Sequence, residues 1–420
     1  MAQGGTVHIV GAGVAGLAAA LKLSGGSRRV VLHEAAGQAG GRCRSYFDDL
    51  LGCEIDNGNH LLLSGNRAAM EYLETIGARD TLTCIAPAQI PFVDLADGAR
   101  WTLRPNAGPL PWWIFARNRR VPGSSSLNYL GGIKLAFAAR DATIEQVLKR
   151  DPGFFRRFWE PIAVSALNTG AHEAAAKLFL PVLVETLAKG ESESRPCMAR
   201  DGLAKSFVDP ALTYLAAKGV TLEFNDRLRA IEQQPDRAAA LAFAGDTVTL
   251  GATDRVVLAV PSWVAADLMP GLTVPREHRP IVNAHLKTAT PLRLPGGMPL
   301  IGIVGGLAQW VFVREHIASV TISAAEAEVD QPPETLGPKI WRDVCRAAGI
   351  AELPLPPYRI VKEKRATFAQ TPAEIARRPG TKTHLNNLVL AGDWTDTKLP
   401  ATIEGAIRSG FAAAKAVAAA

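Results

Sequence analysis

The apolar pattern opens with Val7-His8-Ile9-Val10, a run short enough for a strand, and resumes after a glycine turn in an alanine-rich stretch, residues 17–23, that predicts a helix. Ser24-Gly25-Gly26 ends that helix, and Arg29-Val30-Val31-Leu32-His33 predicts a second strand. Similar strands recur far along the chain. Residues 218–231 read as a short strand pair, 255–260 as a buried strand stopped by Pro261, and 387–390 as a strand entering a Gly392-Asp393 turn before a final helix. Two stretches of another character lie between. Residues 66–199 carry helical periodicity at 66–76, 127–140, 143–149 and 171–187, while 266–385 mix strands at 311–313, 319–322 and 358–363 with a helix at 339–348. The expected fold is α/β, with one parallel-sheet domain assembled from residues 1–65, 200–265 and 386–420. A mostly helical insertion (66–199) and an α+β insertion (266–385) interrupt it and build the substrate site.

The turn after the first strand carries chemistry. In Gly11-Ala12-Gly13-Val14-Ala15-Gly16, where Ala15 is counted with the glycines as cofactor-binding, Gly11 makes the tight turn, Gly13 lets a pyrophosphate approach the backbone, and Gly16 lets the helix pack on the strand. Phosphates would rest on the helix N-terminus, where free N–H groups and the helix dipole favour anions. Glu34 closes the second strand at about the 20-residue spacing of a carboxylate that accepts ribose hydroxyls. Together these spell a Rossmann-type dinucleotide site. The chain then reads Gly40-Gly41-Arg42, unobstructed backbone beside a guanidinium, suited to a second approach to a pyrophosphate. No second Gly-x-Gly-x-x-Gly follows a strand, so no nicotinamide site is apparent and the electron donor is unknown.

With Glu34 followed by Gly40-Gly41-Arg42, the sequence resembles the flavin-containing amine oxidase and phytoene desaturase superfamily, and the resemblance implies FAD. It implies that Asp393 after Gly392 holds the ribityl chain, and that Ala401-Thr402-Ile403, opening the last helix, face the flavin's pyrimidine edge. A helix N-terminus there would stabilise negative charge on a reduced flavin. It also implies a backbone contact to adenine near Leu228, and a passage of Asp56-Asn57-Gly58-Asn59-His60 close to the isoalloxazine ring.

More specifically, Asp56-Asn57-Gly58-Asn59-His60-Leu61-Leu62-Leu63 is similar to the hydroxysqualene dehydroxylase family, formerly described as squalene-associated FAD-dependent desaturases. Ala166-Leu167-Asn168-Thr169, Ala308-Gln309-Trp310, Arg365-Ala366-Thr367-Phe368 and Ala391-Gly392-Asp393-Trp394-Thr395 extend the similarity over nearly the whole chain, although Asn59 stands where that family has glutamine. The implied reaction, in squalene and hopanoid biosynthesis, removes the hydroxyl of hydroxysqualene to give squalene. An allylic hydroxyl leaves poorly unless protonated, so the site needs a general acid, a stabiliser for a developing allylic cation and a hydride donor. The flavin N5 is that donor, since no side chain can be. His60 and Asp56 are the candidate acids; the bland alternatives are a hydrogen-bonded core histidine and a cap on the Asn57-Gly58 turn. Trp310, Phe312 and Trp394 are candidate π faces for the cation, with plain packing as the alternative. Other readings are a carotenoid or phytoene desaturase, which generates reduced flavin, an amine oxidase, whose aromatic cage is not identifiable, and a non-enzymatic prenyl-lipid carrier resembling GDP dissociation inhibitors.

Composition narrows the setting. Hydrophobic residues make up 48% of the 420, enough for more than one core. Five scattered cysteines, Cys43, Cys53, Cys84, Cys197 and Cys345, lead to the expectation of a reducing compartment without disulfides or a metal site. The net charge of +6 is dispersed, without the aromatic-basic interleaving that reads nucleic acid. The opening lacks a basic leader and reads as mature protein. No apolar run reaches the length of about 18 residues that spans a bilayer. Trp112-Trp113-Ile114-Phe115 precedes Arg117-Asn118-Arg119-Arg120, and tryptophans beside arginines suit a membrane interface. A long hydrocarbon would be held mainly by apolar burial, at about 25 cal/mol per Å². The expectation is therefore a cytoplasmic protein, peripheral to the inner face of the cell membrane, with a tunnel in the helical insertion and its mouth at Trp112–Phe115.

Overall fold

The computed structural model describes residues 4–419. Strand β1 (Gly4–Val10), helix α1 (Val14–Leu23) and strand β2 (Arg28–Glu34) form the opening unit. Both strands lie in a five-stranded parallel sheet of order Thr221–Phe224, β2, β1, Arg255–Leu258, Leu388–Leu390. Three distant stretches of sequence thus meet in one sheet. A strand covered on both faces needs apolar residues at successive positions, which Val256-Val257-Leu258 and, at the sheet's edge, Leu388-Val389-Leu390 supply. The C-terminal helix Ile403–Ala418 packs closely on α1, for a Cβ at Gly410 would lie 2.2 Å from the Ala15 carbonyl oxygen.

The two insertions share a second, seven-stranded sheet. Its order is Tyr358–Phe368, His278–Lys287, Ile317–Ser323, Trp310–Arg314, Leu300–Val304, Ile90–Asp94, Arg100–Leu103. The last two strands come from the otherwise helical insertion, and Ile90–Asp94 pairs in parallel with Leu300–Val304. Alternation divides the faces: Val311 packs with the amphipathic helix Pro333–Ala348, whereas Trp310 and Phe312 turn to the helical lobe. Within that lobe, Ser126–Leu130 continues as a 3₁₀ stretch, Gly131–Phe137, and Ile144–Leu148 is closed by a Thr143–Gln146 capping box. A helical stretch over 152–167 is missing from the sequence-based expectation. It contains a π turn, Phe155–Trp159, that breaks the regular spacing of its aromatic residues. Among the described residues, no helix is long and apolar enough to cross a membrane.

Two expectations are corrected. Residues 218–231 are not a strand pair: Thr221–Phe224 joins the parallel sheet beside β2, while Ala230–Gln233 pairs antiparallel with Ala238–Ala242. Asn225, left-handed at φ 59°, turns the chain between them, and its N–H and that of Asp226 bond to the Ala36 and Glu34 carbonyls. Cysteine pairing is the second correction, because Cys84 and Cys197 form a disulfide where none was expected. They face one another across the antiparallel strands Leu82–Cys84 and Pro196–Ala199. A separation of 113 residues leaves no spacing signature to read, and the inference of a reducing compartment loses its basis. Cys43, Cys53 and Cys345 are free thiols.

Candidate active site

The nucleotide cradle forms at the C-terminal ends of the parallel strands, where ligands of open α/β sheets bind. Gly11 has φ +105°, and a Cβ there would lie 2.5 Å from the Ala259 carbonyl oxygen. At Gly16 the same atom would fall 1.9 Å from the Gly11 oxygen. Gly13, at the N-cap of α1, differs: a Cβ would meet nothing within 4 Å, and no side chain caps the helix. Ala15 is buried against the C-terminal helix. Glu34 accepts the Ala12 N–H at 2.8 Å and the Ala36 N–H at 2.9 Å, which fixes its carboxylate beside the turn. Gly40 donates to the Ala12 carbonyl at 2.8 Å and bridges to Gly13, and Gly41 follows in a left-handed conformation. Leu228 lies in one core with Val10 and Leu258, the last residues of their strands.

Arg42 reaches across the chain to bond Asp393 Oδ1 at 2.8 Å and the Ala366 carbonyl. Burial works against its charge, but the Asp393 carboxylate outweighs it and raises the pKa. The Arg42 side chain keeps 44% of its surface accessible, so the guanidinium stays open to a ligand while it holds Asp393. Gly392, at φ +145°, donates to Ser409 Oγ of the C-terminal helix at 2.7 Å. Thr402 caps that helix by accepting the Gly405 N–H at 3.1 Å, with Ala401 and Ile403 buried on either side. A helix N-terminus with open space at Gly13, a bare glycine turn and an accessible guanidinium fit a dinucleotide with two phosphates.

The segment 56–63 is the seam between cradle and helical lobe, since Leu62 packs into the core of the first and Leu61 against that of the second. Asp56 Oδ1 accepts both Ser45 Oγ at 2.6 Å and the Leu203 N–H at 2.8 Å. It caps no Asn57-Gly58 turn. Asn57 Nδ2 reaches Glu363 at 3.3 Å, and Gly58 lies against Asn283, whose Nδ2 would stand 3.2 Å from a Cβ there. Asn59 Nδ2 donates to Thr321 Oγ1 at 3.0 Å. His60 is half-buried, and its ring has no hydrogen bond among the described residues. Desolvation pushes its pKa down to about 4 against the pull of Asp56, with Arg42 adding to the depression. It is a neutral imidazole with free nitrogens, not the hydrogen-bonded core histidine of the bland alternative.

Of the three aromatic candidates, Trp310 and Phe312 stack at 6.4 Å on the lobe side, and Trp310 Nε1 donates to Ser165 Oγ. Trp394 does not join them; it is buried in another core, donating to the Val260 carbonyl at 2.9 Å. The membrane candidates also divide, with Trp113 and Ile114 buried, Trp112 and Phe115 exposed.

Sequence reading missed the residues that join lobe to cradle. Gln370, wholly buried, donates through Nε2 to the Leu167 carbonyl and through its N–H to Thr169 Oγ1 at 3.0 Å, and accepts the Ala401 N–H at 3.1 Å. Asn168, left-handed at φ 46°, donates to Thr367 Oγ1 at 3.0 Å. Arg378 holds the loop after Asp393 through the carbonyls of Leu399 at 2.8 Å and Asp393 at 3.1 Å. The motifs containing Asn168-Thr169 and Thr367-Phe368 pointed to these places without revealing that they meet.

Residues 14–418 match the family described as flavin containing amine oxidoreductases. The chain belongs to that family and is an FAD-dependent oxidoreductase. Within it, the chain is 49% identical over 416 residues to hydroxysqualene dehydroxylase of Rhodopseudomonas palustris, an alignment covering 99% of both chains. It is 44% identical over 407 residues to hydroxysqualene dehydroxylase of Zymomonas mobilis, covering 97% of each. Cyclohexylamine oxidase from Brevibacterium oxydans superposes with a TM-score of 0.71 at 15% identity, over 99% of this chain and 98% of that one, a likeness of fold.

Proposed function

We propose that the enzyme removes the hydroxyl group of hydroxysqualene to give squalene. Near-full-length identity to dehydroxylases supports the substrate class. The observation that carries the chemistry is His60, desolvated and without a hydrogen bond, at the seam between the Arg42–Asp393 pair and an apolar lobe.

Gly11, Gly13, Ala15, Gly16, Gly40, Gly41 and Arg42 would hold the pyrophosphate, Glu34 a ribose, Leu228 the adenine side, Asp393 the ribityl chain, and Asn57, Gly58 and Ala401-Thr402-Ile403 the ring. FADH2, when bound, would supply both hydrogens of the balance, a hydride for the new C–H bond and a proton for the oxygen, which leaves as water when the C–O bond breaks. His60, neutral at pH 7, donates a hydrogen bond to the departing oxygen. Asp56 already serves two donors, so it positions the segment that carries His60. Trp310 and Phe312 offer aromatic faces to the developing cation, and the partly buried Leu61, Leu180 and Leu183 keep water from capturing it. The hydrocarbon is drawn from a membrane surface, and the electron donor is a separate molecule.

The test is anaerobic. Photoreduced holoenzyme mixed with hydroxysqualene is expected to reoxidise at the rate squalene appears; reoxidation by oxygen alone would sink the reading. His60→Phe should slow turnover about 100-fold while leaving the flavin spectrum intact.

A further inference from the structure

Two neighbouring turns of the helical lobe carry large apolar side chains outward. In Trp112–Phe115, Trp113 and Ile114 are buried while Trp112 is 63% exposed and Phe115 is exposed beside it. In the helix Ser126–Leu130 and its continuation Gly131–Phe137, Leu127, Leu130, Ile133 and Phe137 are exposed, Phe137 by 83%. The inner sides meet, with Trp113 edge-on to Tyr129 at 5.0 Å and Tyr129 against Phe154 and Phe158, so the outer sides adjoin. Leu127, Leu130 and Ile133 recur at every third residue and so keep to one side of the winding as it passes from α-helix to 3₁₀ at Gly131. Gly132 seats this tight winding on Trp159, whose ring would be 2.9 Å from a Cβ. A contiguous apolar row left in water marks an interaction surface.

Charge selects the occupant. Residues 110–140 contain Arg117, Arg119, Arg120, Lys134 and Arg140 and no Asp or Glu. Next to the first turn, a groove of about 710 Å³ is lined by Arg100, Arg117, Arg120, Ser124 and Ser125. The Nε of Arg120 is buried there without a hydrogen-bond partner. Apolar side chains flanked by cations fit an anionic lipid interface, whereas a second copy of this chain would set the same cations against one another.

We propose that this surface inserts into an anionic bilayer leaflet. Trp112, Phe115, Leu127, Ile133 and Phe137 enter the acyl region, and Arg117 and Arg120 take lipid phosphate in the groove. The proposal rests on the reading that the substrate is a membrane-dissolved hydrocarbon, and names the membrane chemistry that presents it.

Holoenzyme is sedimented with vesicles of phosphatidylcholine alone or mixed with phosphatidylglycerol. Binding to the anionic vesicles should be at least about tenfold tighter and should weaken at high salt. Ile133→Ser with Phe137→Ser should lower affinity at least about tenfold, with flavin content and melting temperature unchanged, since both side chains stand in water. Arg117→Gln with Arg120→Gln should abolish the preference for anionic lipid. Equal binding to neutral vesicles, or full binding by the Ile133/Phe137 variant, would overturn the proposal. So would a dimer, seen by light scattering, that the same variant disperses. Dehydroxylation stands or falls separately in the anaerobic flavin assay, whatever the vesicles do.

Discussion

The nucleotide cradle and the helical lobe are built from different materials. In the cradle, backbone sets the geometry: Gly11, Gly16 and Gly40 sit where any side chain would collide or strain. In the lobe, side chains set it, with Trp113, Tyr129, Phe154, Phe158 and Trp159 forming one aromatic cluster around an irregular helix. A charged ligand demands N–H groups at fixed places, which imposes a spacing on the residues. A hydrocarbon demands area, which many arrangements supply.

The largest test of this contrast lies within the cradle. Gly16→Ala places a methyl 1.9 Å from a carbonyl oxygen and should cost at least about 3 kcal/mol in a denaturant titration, yielding flavin-poor protein. Gly13→Ala meets no atom within 4 Å, so it should leave apoprotein stability within about 0.5 kcal/mol while weakening FAD binding. Equal destabilisation by both would show that the glycines serve packing alone.

A smaller effect sharpens the boundary between the regions. Gln370→Leu strands the buried Ala401 N–H and should cost about 2 kcal/mol, with a matching rise in the FAD dissociation constant read by flavin fluorescence. An unchanged constant would mean that the lobe and the flavin-facing helix are not linked through this residue.

A pH effect, smaller for each group, is carried by His8 in the cradle sheet, His60 on the seam and His285 behind it. Burial lowers all three from an ordinary 6.5 to about 4, with the neighbouring His33 adding to the shift at His8 and Asp56 opposing it at His60 and His285. Between those values the unfolded chain holds the protons that the folded one refuses. Stability should therefore be flat above about pH 6.5 and fall as pH drops toward 4, by about 1–2 kcal/mol per histidine at pH 5. A flat unfolding midpoint across that window would refute it; His285→Gln should lower the slope by about a third.

The same contrast explains what could be read from the chain. Glu34, Gly11, Gly13, Gly16 and Arg42 were legible because one ligand disciplines neighbouring residues. That Arg42 meets Asp393, 351 positions away, was suggested by two motifs but could be established only by the fold. Gln370 gave no signal, since a buried amide bonded to main chain looks like any other glutamine. Asp56 and His60, four positions apart, looked equivalent as acids until their partners separated them. The outward row at 127–137 did leave a trace, an acid-free stretch with apolar residues at every third position, but a helical period of 3.6 conceals it.

Leu82–Cys84 and Pro196–Ala199 run antiparallel, with Cys84 opposite Cys197, so the polypeptide departs for the lobe and comes home at one doorway. An insertion whose two ends are already clasped can be lengthened, trimmed or exchanged like a cartridge without tugging on its host, provided the two strands it lends to the neighbouring sheet are kept. That architecture lets one flavin carrier be fitted to new greasy cargoes by swapping what hangs from a single hinge point.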